Sequence, residues 1–562
     1  MVRSLFLTVV GLEIRGMHQA AYVLAGLALG SQLLALLRDR LLASTFGASE
    51  TLDIYYAAFR LPDLLFVGVA SLLSIYALLP VLSKIEAERP GLAISFLRRL
   101  LLLFFVGMGT VSLVAFFFVP EIVRFVAPGL MGEPEREAAL ILLTRILLLQ
   151  PILLGASNLL ANLTQLKHRF VLYSISPLLY NLGIIGGIVF LYPYFGLMGL
   201  AWGVAAGAAL HALVQVPFFT LERGSGELPW RKTLLYTREV LALSVPRTFA
   251  LAAGQISLLV VIALASFFPE GSIAVFTFAW NLQAVPLTII GVSYSVAAFP
   301  TLARFFAGNN REEFVRHVEG ALKHIMFWSL PAILLIIVLR AHIVRVILGA
   351  GVFDWSATRL TAAALALFVI SLLAQSISLL IARAYYAAGN TKKPLMLALI
   401  EVVLSVGAVF ALVALFNSSP FFRLFLESLL RVEDVPGTVV LCLALALSLG
   451  AIVRAALGLW WVIGDFKLPL VGLGRLAFQS FAAAVAGGGA AYAVLQLFQP
   501  VVDLTTVLGV FAQGAVAGVV GLAAAGTTLY FLKNKELAEI AASFKRRLAK
   551  EDVVAVEPSD VA

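Results

Sequence analysis

Charge is scarce in this chain. Only 13% of its 562 residues are Asp, Glu, Lys or Arg, while 61% are hydrophobic; a soluble globular protein carries about 25% charged residues. A soluble enzyme is therefore excluded. Cysteine is scarcer still: there is one, Cys442, so no intramolecular disulfide can form and no thiol metal cluster can be built. The six histidines, His18, His168, His211, His317, His324 and His342, show no metal-ligand grouping. No glycine loop of the phosphate-binding kind occurs, and Gly487 to Gly489 sits inside an apolar run where close helix packing explains it. Strands of alternating polarity are missing as well, since runs such as Leu100 to Pro120 are apolar without a break, which excludes a β-barrel.

What is present is a series of apolar runs from near residue 18 to residue 532. Each reaches about eighteen residues or more, enough to cross a hydrocarbon core about 30 Å thick at about 1.5 Å per residue. The expectation is an all-α polytopic membrane protein with fourteen transmembrane helices, over 17–37, 54–80, 100–120, 138–163, 171–192, 196–220, 240–268, 273–302, 325–348, 357–382, 394–416, 438–463, 470–497 and 504–532. The net charge of +9 comes from short connections between these runs, so it reflects topology and not nucleic-acid binding. Connections on the side of the N-terminus hold a roughly threefold excess of Lys and Arg over the opposite side, which places both termini in the cytoplasm.

An internal repeat adds detail. A-L-L-P-V-L-S-K at Ala77 to Lys84 resembles A-A-F-P-T-L-A-R at Ala297 to Arg304, each in an even-numbered span. Parallel repeats of this kind suggest two six-helix lobes, 17–222 and 223–465, around a central cavity whose access alternates. Residues 1–16 read as an interfacial cytoplasmic segment and 466–532 as two accessory spans. The tail 533–562 reads as a cytoplasmic helix that frays, with Lys545, Arg546, Arg547 and Lys550 favouring anionic lipid.

Ionisable groups within spans mark the candidate site, because they are costly in a bilayer unless they face a cavity or a partner. Asp53, Arg60 and Asp63 open span two and share one face at 100° per residue; Arg38, Asp39 and Arg40 close span one on the same side. They read either as a charged mouth for an anionic head group or as ion pairs holding two helices together. Gln150, Asn158 and Asn162 form a polar stripe that faces a cavity or a neighbouring helix, and Arg145, Gln165, Asn181, Arg247, Gln255, Asn281 and Gln283 add further polar positions. Glu401 either neutralises Arg454, binds a coupling cation or carries a proton. Prolines at 62, 151, 177, 246, 286 and 331 are expected to bend their spans.

The string L-L-R-D-R-L-L-A-S-T-F-G-A at Leu36 to Ala48, with L-D-I-Y-Y-A-A-F-R-L-P-D-L-L at Leu52 to Leu65, resembles the first two helices of the MurJ (MviN) family of lipid II flippases. S-P-L-L-Y-N at Ser176 to Asn181, G-L-A-W-G at Gly199 to Gly203, G-A-G-V-F-D at Gly349 to Asp354 and R-A-Y-Y-A-A-G-N-T-K-K-P at Arg383 to Pro394 are similar to that family too. The resemblance implies the fold of the MOP exporter superfamily, with the last two spans forming a groove for a polyprenyl tail. It implies a transporter and not an enzyme, in a bacterial inner membrane, that moves a polyprenyl-diphosphate-linked peptidoglycan precursor to the outer leaflet. No cofactor is implied beyond a coupling cation or the membrane potential; the implied partners are that lipid-linked precursor, membrane lipids and cell-wall synthesis enzymes, with no nucleic acid.

For the site, the resemblance implies Arg38, Asp39, Asp53 and Arg60. The family's other arginines are exchanged: Gln32 stands for one, Phe66 and Val67 for a pair, Ser71 for a glutamate, and Ala279, Trp280 and Asn281 for A-D-R. With Gln32, Phe66 and Asn281 in one cavity, the cargo would be held less by charge, with Trp280 stacking on a sugar. Competing expectations are a flippase for another lipid-linked oligosaccharide, a cation-coupled exporter of amphiphiles and a non-transporting scaffold.

Overall fold

The computed structural model describes residues 17–73, 75–167, 169–221, 228–469, 472–498, 503, 506–539 and 542. The expected segment 1–16 and Lys545, Arg546, Arg547 and Lys550 lie outside the described residues. Among the described residues the regular structure is helical. Twelve of these helices are long and apolar enough to cross a membrane, or thirteen when Trp355–Ile370 and Leu372–Ala387, broken at Ser371, count as one span. Met17–Phe46 is a further helix of 30 residues where the first span was expected.

The chain forms two compact units, one of residues 1–285, 344–371 and 389–458 and the other of 286–343, 372–388 and 459–562. In the first, a cluster that includes Leu82, Phe96, Leu100, Phe104, Leu159 and Val240 joins Glu50–Glu88, Leu92–Val126, Pro134–Leu166 and the start of Trp230–Ala265. Backbones approach closely between Val171–Phe195 and Leu197–Thr220. A Cβ on Gly183 would lie 2.2 Å from Gly207 Cα, and one on Gly187 2.6 Å from Gly203 Cα. Small residues at this spacing let apolar helices gain dispersion contacts that lipid cannot supply.

Span two carries one irregular residue, Phe59, which keeps right-handed helical angles of φ −75° and ψ −20°. Glu50–Ala58 leads up to it, and Arg60–Val69 follows with Pro62 in its first turn, where a missing N–H costs nothing. Pro286 acts differently: the helix Ser272–Leu287 loosens into a π turn at Thr288–Val292 before continuing as Ser293–Ala307. In the second unit Arg383 donates to the Val292 carbonyl at 3.1 Å and to Ser295 Oγ at 2.6 Å, which satisfies backbone at that turn.

The second unit also packs Leu473–Phe498 against Val507–Phe531. Gln479 donates to the Leu532 carbonyl at 2.9 Å and accepts from Asn534 at 2.8 Å. An apolar cavity of about 660 Å³ lies there, lined by Ile289, Tyr294, Trp328, Pro331, Leu522 and Leu529 among others.

One helix lay outside the sequence reading. Pro420–Leu430, between two spans, opens on the cap Ser419, whose Oγ accepts from the Phe422 amide at 3.3 Å. It exposes Phe421, Leu424, Phe425 and Leu429 while burying Leu426, Glu427 and Leu430. Glu427 accepts from Thr438 Oγ1 at 2.5 Å and from Arg423 at 3.0 Å. Arg359 holds the next loop by hydrogen bonds to Asp434 at 2.6 and 2.8 Å, and its guanidinium lowers the Asp434 carboxyl below its usual range.

Candidate functional site

A polar cavity of about 240 Å³ lies within the first unit. Arg38, from the last turns of Met17–Phe46, donates twice to Asp39 Oδ1, at 2.7 and 2.9 Å, and once to Asn181 Oδ1 at 3.1 Å. Asn281 donates to Asp39 Oδ2 at 3.1 Å, so a chain of polar groups runs Asn181, Arg38, Asp39, Asn281. Arg38 and Asn281 line the cavity, and Asp39 is 3% exposed behind them. The charge of Arg38 is thus matched within its own helix, and this pair does not tie span one to span two.

Arg60 and Asp63 face the same cavity from the start of Arg60–Val69. Arg60 Nε donates only a long bond, 3.3 Å, to the Tyr56 carbonyl, and among the described residues it makes no ion pair. Asp63 Oδ1 accepts from Gln150 Nε2 at 3.4 Å. Gln150 Oε1 and Tyr56 Oη, both in the lining, are buried without a partner. Buried polar atoms left in this way cost stability unless something that enters the cavity pairs with them.

Other expected site residues lie elsewhere. Asp53 is not part of the lining: its Oδ2 accepts from the Gly271 amide at 2.7 Å and its Oδ1 from the Ala274 amide at 2.8 Å. It closes the open N-terminal turn of Ser272–Leu287. The expected site with Asp53 and Arg60 together is not formed: the two are seven residues apart, about 10 Å along a helix, and Asp53 is taken up by the Gly271 and Ala274 amides outside the lining. Gly271, at φ +82°, is required at this joint, as a Cβ there would lie 2.3 Å from the Ala48 carbonyl oxygen.

Gln32 is half-buried on the helix of Arg38 but outside the lining. Phe66 packs on the apolar cluster of the first unit. Trp280 stacks with Phe276 and meets Phe368 edge-on with centroids 5.4 Å apart, so its faces are committed to packing and not to a sugar. Arg40 donates to the Val346 carbonyl, at a helix C-terminus. Glu401 meets Arg454 at 2.5 Å, the neutralising pair among the three readings of that residue. The side chain of Arg247 lies outside those described.

Of the polar stripe, Gln150 reaches the cavity, whereas Asn162 donates to the Asn158 carbonyl in its own helix at 2.7 Å. The tyrosines at 55, 56 and 180 in the lining went unnoticed in the sequence, where they count as apolar; the pair at 55 and 56 beside Arg60 was the available signal. Among the described residues no three His, Cys, Asp or Glu side chains gather as a metal site.

The fold agrees with solved transporters. It matches a structure of lipid II flippase MurJ in an inward closed conformation with TM-score 0.69, at 20% identity over 91% of this chain and 100% of that one. An inward-facing MATE family multidrug resistance transporter of the MOP superfamily matches with TM-score 0.64, at 16% identity over 78% of this chain and 94% of that one. The bundle of spans therefore has the fold of these solved MurJ and MATE structures, a polytopic helical membrane protein. Residues 42–511 match the model of the family described as lipid II flippase MurJ, and the chain belongs to that family. A MurJ relative from Bdellovibrio bacteriovorus is 28% identical over 525 residues, covering 90% of this chain and 94% of the relative. Lipid II flippase MurJ of Burkholderia cenocepacia is 26% identical, covering 68% and 76%.

Proposed function

We propose that this chain moves lipid II, the polyprenyl-diphosphate-linked peptidoglycan precursor, from the cytoplasmic to the outer leaflet of the inner membrane by alternating access. The observation that carries the reading is Arg60: a guanidinium in the cavity lining, with Asp63 one turn on but no direct ion pair among the described residues, is a ready bidentate donor to a phosphate oxygen. In this reading the lobes 17–222 and 223–465 alternate around the cargo. The apolar cavity beside Trp328 and Leu522 takes the prenyl chain, as its lining of hydrocarbon suits. Cell-wall synthesis enzymes are the expected partners that consume the product. Cells depleted of their own flippase and supplied with this chain should regain lipid II accessible to an external probe. Continued inaccessibility, with the protein folded in the membrane, would reject the reading.

The same reading places both termini in the cytoplasm, in keeping with the excess of Lys and Arg in the connections on that side. Cys442, the one native thiol, is buried, so Cys442→Ser gives a clean background for single cysteines. Cysteines introduced within 84–99 or in the C-terminal tail should resist an impermeant thiol reagent in intact cells and react after permeabilisation. Labelling of the tail from outside would invert the topology.

A further inference from the structure

The cavity holds no surplus of positive charge. Arg38 is matched by Asp39 at 2.7 Å, and Arg60 shares the lining with Asp63, one helical turn on. A diphosphate diester brings two negative charges into this enclosed space. Taking them from water without added counter-charge is costly in a medium of low dielectric constant, and the matched arginines cannot supply it alone.

The unpartnered atoms are informative here. Gln150 is 5% exposed and Tyr56 7% exposed, and both turn an unsatisfied oxygen toward the lining. Tyr56 Oη can donate its proton to a phosphate. Gln150 Oε1 cannot: it is an acceptor only, as is the Asp63 carboxylate whose Oδ1 lies 3.4 Å from Gln150 Nε2. Two adjacent oxygen acceptors would repel a bare diphosphate. They are instead suited to a hard cation, and Mg²⁺ binds through one or two carboxylates, retained waters and substrate phosphates without a protein cage of its own.

We propose that a divalent cation of the Mg²⁺ type enters the cavity with the cargo, bridging its diphosphate to Asp63 and Gln150 Oε1, while Arg60 and Tyr56 hold the remaining phosphate oxygens. The inference rests on the diphosphate cargo proposed above. It gives Asp63 a role beyond balancing Arg60, and it makes one charged unit of the metal and the head group.

Binding of a short-chain probe, geranyl-diphosphate-linked N-acetylglucosamine, to the purified full-length protein tests it in millimolar Mg²⁺ and in EDTA. Wild type should bind about tenfold more tightly with Mg²⁺. Asp63→Asn should lose that dependence and bind the metal-free probe at least as well as wild type, since a repelling carboxylate is gone. Gln150→Glu should enlarge the dependence by weakening binding in EDTA, and this second variant decides the matter if Asp63→Asn does not fold. Equal affinity of wild type in Mg²⁺ and EDTA would overturn the inference and leave the diphosphate cargo intact. A Mg²⁺ effect of wild-type size in both variants would also overturn it, placing the metal on the probe alone. Absence of binding under every condition would reject the diphosphate cargo, and this inference with it.

Discussion

Arg60→Ala should abolish transport while leaving folded protein in the membrane. The guanidinium is held by one long bond to a backbone carbonyl and by no ion pair among the described residues, so its removal strands little of the protein's own chemistry. Hydrogen bonds to charged groups contribute about 1.5–3 kcal/mol, so affinity for a diphosphate head group should fall on the order of ten- to a hundredfold. External accessibility of lipid II in flippase-depleted cells measures transport, and thermal unfolding in detergent measures the fold. Loss of the protein from the membrane, or transport at the wild-type level, would show that Arg60 serves helix packing instead.

Asp53→Ala should do the reverse. Its carboxylate is 4% exposed and accepts from two backbone amides of the turn that opens Ser272–Leu287. Removing it leaves two buried donors without an acceptor, at a cost of roughly 3 kcal/mol or more. The yield of folded protein should drop and its unfolding temperature fall by several degrees, while the fraction that folds should bind the diphosphate probe as wild type does. Asp53→Asn, which keeps one acceptor oxygen, should lie between. A stable Asp53→Ala protein with impaired binding would put Asp53 back in the cargo site.

The contrast between these two residues shows what can be read from the sequence. Apolar runs determine where helices cross the bilayer, because backbone groups in hydrocarbon must bond within their own segment, and the expected spans find helices at their positions. Charge inside such runs is costly enough to mark Arg38 and Arg60 near a cavity. Phase along a helix tells which residues share a face, not how far along the axis each finds its partner. Asp53 lies about two turns before Arg60, and nothing in the local sequence names its partner 218 residues away.

Trp280 illustrates a second limit: its use depends on Phe276, one turn back, and on Phe368, from a distant span. The tyrosines of the lining escaped because hydropathy counts their rings and not their hydroxyls. Pro420–Leu430 escaped because a short helix between two spans has neither the length of a span nor the polarity of a loop. Its Ser-Pro start and its apolar residues at three- and four-residue spacing were the legible signs. The motif Arg383 to Pro394 was legible as a resemblance only; the structure gives it joints to hold, through Arg383 at the π turn and Tyr385, which donates to Asp465 at 2.6 Å.

The tie between Asp53 and the turn at Gly271 also governs the order of assembly. Asp53 leaves the ribosome 218 residues ahead of the amide that it accepts from. At about 5–20 residues per second the gap is roughly ten to forty seconds. For that interval the first helices are in the membrane with a carboxylate whose intended donors do not yet exist, and water or lipid head groups must solvate it. The N-terminal pair can therefore insert early but cannot settle into its final seat until the eighth span arrives, which makes that span the step that locks the nascent bundle.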